Sequence, residues 1–137
     1  MVAGRWARIV LLDAVMVIGT LRFLPPPSRR LEVLDILRYL QGPAETESGC
    51  ERFRIYEDHG PEPGIVLVER WGSEAAFEAH IRSDAFRSIV AALELSRCPP
   101  DVRFDHVSAT EEEELIERAR LGRGGRDSVN RSERAAR

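Results

Sequence analysis

Residues 15–27, VMVIGTLRFLPPP, place the tightest constraint on this chain. The β-branched and large apolar residues of 15–24 predict a strand, and three successive prolines forbid its continuation. A second apolar run, IVLVERW at 65–71, predicts another strand after the turn-forming HGPEPG. A strand with one face in water should alternate apolar and polar residues, and neither run does. Both runs therefore ask for cover on both faces.

The segments between and after them supply only part of that cover. Ser28 is placed to cap a helix over RRLEVLDILRYLQ. There Leu31, Leu34, Leu37 and Leu40, with Val33 and Ile36, make an apolar stripe at helical spacing, and Gly42-Pro43 is expected to end it. CERFRIYED at 50–58 alternates strictly, with Phe53 and Ile55 on one face and Arg52, Arg54 and Tyr56 on the other. It forms a hairpin with the 65–71 strand. Ser73 caps a predicted helix over 74–82, and Ser83-Asp84 restart a helical segment in which Phe86, Ile89, Val90 and Leu93 share a face. Cys98-Pro99-Pro100 breaks it, and DVRFDHVS at 101–108 is a fourth strand.

The order β-α-β-β-α-β predicts an α+β, ferredoxin-like antiparallel sheet with its helices on one face. Exposing the other face would forgo roughly 25 cal/mol for each Å² of apolar surface. The simplest remedy is a second subunit whose sheet packs on the first, so a homodimer is expected. Three segments result: an N-terminal extension over 1–14, the domain over 15–108, and 109–137. In the last, Thr110 and Glu113 have capping-box spacing for a helix to about Leu121. Gly122, Gly124, Gly125 and an Arg/Ser-rich end follow, with little apolar to anchor them, and disorder is expected there.

A chain of 137 residues suits one domain. All 20 of its Lys+Arg residues are arginine, which excludes Schiff-base chemistry and a P-loop. The net charge of −3 gives no field for nucleic acid. Cys50 and Cys98 form no C-x-x-C motif, and His59, His80 and His106 stand too far apart for a metal motif. Neither a metal nor another cofactor is expected. Arg5 and Arg8 precede an apolar stretch, but Asp13 interrupts it too soon for a signal peptide or a membrane span. A cytoplasmic protein without membrane contact is the expectation.

ESGCERFRIYED, VLVERW and EAAFEAHIRSDAFRSI together resemble the antibiotic biosynthesis monooxygenase (ABM) domain family. The resemblance runs from about Val15 to Ser108. It is carried by Gly49-Cys50, Glu69-x-Trp71 and His80-x-x-Ser83-x-x-Phe86. It implies a dimeric α+β barrel, and in some members the oxidation of quinols or polyketide anthrones without metal or flavin. The partners would then be a small aromatic molecule and dioxygen. The haem-degrading branch of the fold is disfavoured, because Val90 stands where that branch has its iron-ligating histidine, and valine cannot bind iron.

His80 admits two readings: a half-buried histidine bonded to the sheet, or a general base that takes a proton from a phenol or an acidic carbon. The resemblance supports His80 as a site residue in several members. Trp71 is either packing or the wall on which a planar substrate stacks. Tyr56 either orients the substrate oxygen or, with Arg54, lines the dimer seam. Glu69, amid apolar neighbours, needs a partner, for which Arg54 or Arg70 is proposed. The rival to a cofactor-independent monooxygenase is a non-catalytic dimeric barrel that binds a small hydrophobic ligand or a partner. Truncation after Leu121 is expected to leave the thermal midpoint nearly unchanged; a fall of several degrees would mean that the tail docks.

Overall fold

The computed structural model describes residues 10–122. The elements run β1 (Val10–Phe23), a 3-10 turn (Pro27–Arg29), α1 (Arg30–Thr46), β2 (Cys50–Glu57), β3 (Ile65–Trp71), α2 (Glu74–Ile81), α3 (Asp84–Leu93) and β4 (Asp101–Thr110). A further helix, α4, covers 114–122. The sheet order is β2-β3-β1-β4, with β3 antiparallel to both neighbours. This is the ferredoxin-like α+β arrangement expected from the sequence, and it occupies the unit Leu12–Ser108. In the other unit, Arg118 donates to Glu111 at 2.8 Å. The expected disorder after Leu121 falls almost wholly on residues 123–137, outside the described residues.

Three local expectations change. β1 begins at Val10 rather than at Val15, so the strand reaches back into the segment read as an extension. Ser28 lies inside the 3-10 turn and is no cap; Arg29 holds the N-cap position of α1 without a side-chain bond. The triproline explains this, because it sets a tight turn directly ahead of the helix. Gly42-Pro43 does not end α1, which continues to Thr46. The hydrogen bond that Pro43 cannot donate would have gone to the carbonyl of Tyr39, on the water-facing side of the helix. Ala44 is fully buried one residue later, and the Thr46 hydroxyl donates to the Pro43 carbonyl at 2.7 Å, so the last turn is held on both sides.

One face of the sheet buries Val17, Leu21 and Phe23 of β1, Phe53 of β2, and Ile65, Leu67 and Trp71 of β3. Against it α1 sets Val33, Leu34, Leu37 and Leu40, while α3 sets Ile89, Ala92 and Leu93. Leu31, counted in the helical stripe, instead faces water at 72% exposure. Each large side chain fully buried here contributes roughly 1.5–3 kcal/mol. On the other face Ile18, Thr20 and Arg22 of β1 and Val66, Val68 and Arg70 of β3 are only partly covered. Burial therefore alternates along β3 where hydrophobicity does not, and Ile18, Val66 and Val68 of the second face are only partly covered by the described residues.

The start of α2 is fixed by its cap and by a glycine. The Ser73 side chain accepts from the Ala76 N–H at 3.1 Å. Gly49, just ahead of β2, has φ +81°, and a Cβ there would lie 2.5 Å from the Ala76 Cβ. The Gly49 carbonyl also accepts from the Gly72 N–H at 2.8 Å. Only glycine lets the α1–β2 connection pass this close to the first turn of α2. Gly49→Ala is expected to destabilise the fold by about 1–3 kcal/mol, from left-handed strain and the clash together. Urea unfolding followed by tryptophan fluorescence measures it, and an unchanged midpoint would contradict the close approach.

Candidate functional site

β3 turns Ile65, Leu67, Glu69 and Trp71 toward the helices, and this alternation carries a carboxylate into the core. Glu69 has no exposed surface. It stands opposite Phe53 on β2 and Gly19 on β1. A Cβ at Gly19 would sit 3.5 Å from Glu69 Oε2 and 3.1 Å from the ring of Phe104 on β4. The glycine thus leaves room for both groups. A buried carboxylate without partners costs several kcal/mol, and Glu69 has two. Trp71 Nε1–H donates to Glu69 Oε2 at 3.3 Å, and His80 Nε2 lies 3.2 Å from Oε1.

His80 reaches this position from the last turn of α2, with 1% of its surface exposed. Its ring stacks on the Trp71 indole with centroids 4.3 Å apart and planes 26° from parallel. Phe86 and Phe53 meet it edge-on at 5.5 and 6.4 Å. The second ring nitrogen, Nδ1, lies 2.7 Å from Oε2 of Glu47, in the short connection between α1 and β2. Both imidazole nitrogens therefore face carboxylate oxygens. Burial alone would pull the imidazolium down, but the hydrogen bond and charge of Glu69, joined by those of Glu47, outweigh it. The His80 pKa lies above its ordinary 6.5. An imidazolium donates to both carboxylates; a neutral ring can donate to only one.

The structure brings His80 and Trp71 together and sets Tyr56 apart. Tyr56 pairs with Val66 on the opposite face of the sheet and is 48% exposed. The proposed arginine partners of Glu69 are not its partners. Arg70 follows Glu69 directly and so points to the other face, and Arg54, paired in register with Val68, bonds to Glu45 instead. Glu47 was not singled out from the sequence, where it stands in the polar run AETESG without any periodic signal. Of the remaining histidines, His59 is exposed, and His106 is a surface residue paired with Glu74 at 3.0 Å.

A groove of about 410 Å³ on the open face is lined by Thr20, Arg22, Val66, Asp101, Arg103 and Asp105. Another of about 440 Å³ lies between α1 and α3, lined by residues including Ile36, Tyr39 and Leu40. Neither reaches His80. Among the described residues no group of three or more His, Cys, Asp or Glu is placed to hold a metal ion. No helix among them is long and apolar enough to cross a membrane.

Comparison with known proteins places the chain in a family. The putative monooxygenase YcnE of Bacillus subtilis (strain 168) is 32% identical over 77 residues, which cover 56% of this chain and 81% of the relative. The structure of Rv0793 from Mycobacterium tuberculosis superposes with TM-score 0.62 at 26% identity, over 72% of this chain and 98% of that one. A putative antibiotic biosynthesis monooxygenase from Caulobacter crescentus CB15 shares the fold, with TM-score 0.62 at 19% identity over 74% and 95% of the two chains. The family model described as antibiotic biosynthesis monooxygenase matches residues 14–92, more than half of the chain. The chain belongs to the antibiotic biosynthesis monooxygenase family.

Proposed function

We propose that this protein is a cytoplasmic, cofactor-independent monooxygenase of a small aromatic or quinol substrate, with His80 as the base and Trp71 as the stacking wall. The observation that carries the reading is the imidazole held between two carboxylates and stacked on an indole at 4.3 Å. Dioxygen reacts readily only with an electron-rich carbanion or phenolate, so the substrate must first lose a proton. For a methylene flanked by aromatic rings, the base takes that proton and the carbanion reduces dioxygen. The pair then collapses to a hydroperoxide, which loses water to leave a carbonyl. One oxygen atom stays in the product, the other leaves as water, and the substrate supplies every electron.

The neighbouring carboxylates make His80 a stronger base and set the pH at which it works. A base must be unprotonated, and the His80 pKa lies above 6.5. The rate is therefore expected to be low at mildly acid pH and to rise as pH passes through that elevated value. The measurement is oxygen uptake by metal-free protein with a panel of hydroquinones and anthrones. His80→Ala should lower the rate by roughly 100-fold or more. A rate in that variant equal to the parent's, or a flat profile between mildly acid and alkaline pH, removes His80 from the mechanism. Because the imidazole is enclosed, a substrate reaching it must displace side chains around it.

One observation favours the rival, a non-catalytic dimeric barrel, in its form as a module that binds a partner. His80, Trp71 and Phe53 fill the space between helices and sheet with their own side chains. Absence of oxygen uptake and of saturable binding across the aromatic panel would decide for it.

A homodimer belongs to either reading. The open face offers Ile18, Val66 and Val68 at its centre and arginines around them, the distribution of an apolar patch with a polar rim. Light scattering over a dilution series is expected to show a dimer, and Val68→Arg a monomer. A parent protein that is monomeric at micromolar concentration would refute the pairing.

A further inference from the structure

The His80 side chain has no exposed surface, so a proton that it exchanges with water must travel along its hydrogen bonds. These lead in two directions. On one side Nε2 meets Glu69 Oε1 at 3.2 Å. Glu69 is itself fully buried, and its other oxygen faces the Trp71 N–H, a group that donates but does not accept. That branch is a dead end toward water. On the other side Nδ1 meets Glu47 Oε2 at 2.7 Å, and the Glu47 side chain is 27% exposed.

We propose that Glu47 is the solvent-side end of a proton relay, Glu69–His80–Glu47, through which the buried imidazole exchanges protons with water. The inference rests on reading His80 as a proton acceptor, but on no particular substrate or reaction. Glu47 then acts through His80 and is a positioning residue rather than a catalytic one. In the outward step a proton arrives at Nε2, and the ring becomes an imidazolium. The Nδ1–H bond breaks as its proton passes to Glu47 Oε2, and the resulting carboxyl gives it to water. The ring is left as the Nε2–H tautomer, and nothing is oxidised or reduced.

The backbone around Glu47 is set to hold this contact. Its N–H donates to the Ala44 carbonyl and its carbonyl accepts from the Cys50 N–H, both at 3.1 Å. The connection is therefore closed onto the end of α1 and the start of β2 rather than left loose. The titratable groups that face the relay are Glu47 after α1, Cys50 on β2 and Glu69 on β3, while α3 contributes the ring of Phe86. Burial pushes the Cys50 thiol up, so it remains protonated and offers no competing charge.

The test is an NMR titration of the His80 ring nitrogens in the full chain, with the exchange rate of the ring N–H measured alongside. In Glu47→Gln the midpoint is expected to fall by about one pH unit, because one neighbouring negative charge is gone. Exchange of the ring proton with water should slow several-fold. An exchange rate equal to the parent's would overturn the relay, whatever the midpoint does. If the glutamine variant does not fold, Glu47→Asp serves, since it keeps the charge but withdraws it by one methylene. Slower exchange in that variant supports the relay, and unchanged exchange refutes it. These readouts need no substrate. Silence on the oxygen-uptake panel bears only on the proposed reaction, and an unchanged exchange rate bears only on the relay.

Discussion

The structure turns on the need to pair one buried carboxylate. Glu69 sits in the middle of the sheet, opposite Phe53 and Gly19, where an uncompensated charge would cost several kcal/mol. Its pairing depends on geometry supplied elsewhere. The indole two residues along the same strand gives one donor, and the imidazole from the following helix gives the other. For His80 to arrive, α2 must start almost at once after β3, which the Ser73 cap arranges. It must also lie close against the α1–β2 connection, which Gly49 permits. The same closeness brings Glu47 to the second imidazole nitrogen. A single charge thus ties together β3, α2 and the end of α1.

How far this was legible in the sequence depends on the range of each interaction. The alternation of CERFRIYED and the caps at Ser73 and Ser83 are local signals, and the structure keeps them. The extent of α1 was not legible. Gly42-Pro43 is a local stop signal, but the burial of Ala44 against the core outweighs it, and burial is a tertiary fact. Glu69 announced its need for a partner by standing in an apolar strand, yet charge alone pointed to Arg54 and Arg70. The period of two in a strand places Arg70 on the far face, and the same register disposes of Arg54. Glu47 gave no signal, because nothing in a polar connection of three residues tells where it folds back. Tyr56 and Trp71 both looked like aromatic site residues, and the sheet assigns them to opposite faces.

The two faces have different chemistry, and that difference follows from which residues the helices cover. The covered face holds the aromatic rings and the titratable trio, in an environment where hydrogen bonds to charged groups are strong. The open face holds Ile18, Val66 and Val68 among Arg22, Arg54 and Arg70. Arg22 is already committed, donating through Nε and Nη2 to Asp58 at 3.0 and 2.8 Å and so fixing the β2–β3 turn to β1. Those bonds hold the Asp58 carboxyl below its ordinary range, after the larger effect of the Gly60 N–H.

Folding alone does not account for the trio. Well-packed apolar residues in place of a buried ionic cluster are commonly neutral or stabilising by about 1–4 kcal/mol. Leucine or phenylalanine at positions 69 and 80 would suit the surroundings that Phe53, Phe86 and Trp71 provide. Specificity of packing is a weak reason to keep two carboxylates and an imidazole there, because the rings and the close approach at Gly49 already fix how α2 lies. What the ionic cluster offers beyond an apolar one is a proton that can be held, moved and returned at a site closed to bulk water. Here the imidazole that would carry that proton lies against the buried Trp71 indole, 4.3 Å between ring centroids, with a carboxylate oxygen at each of its nitrogens.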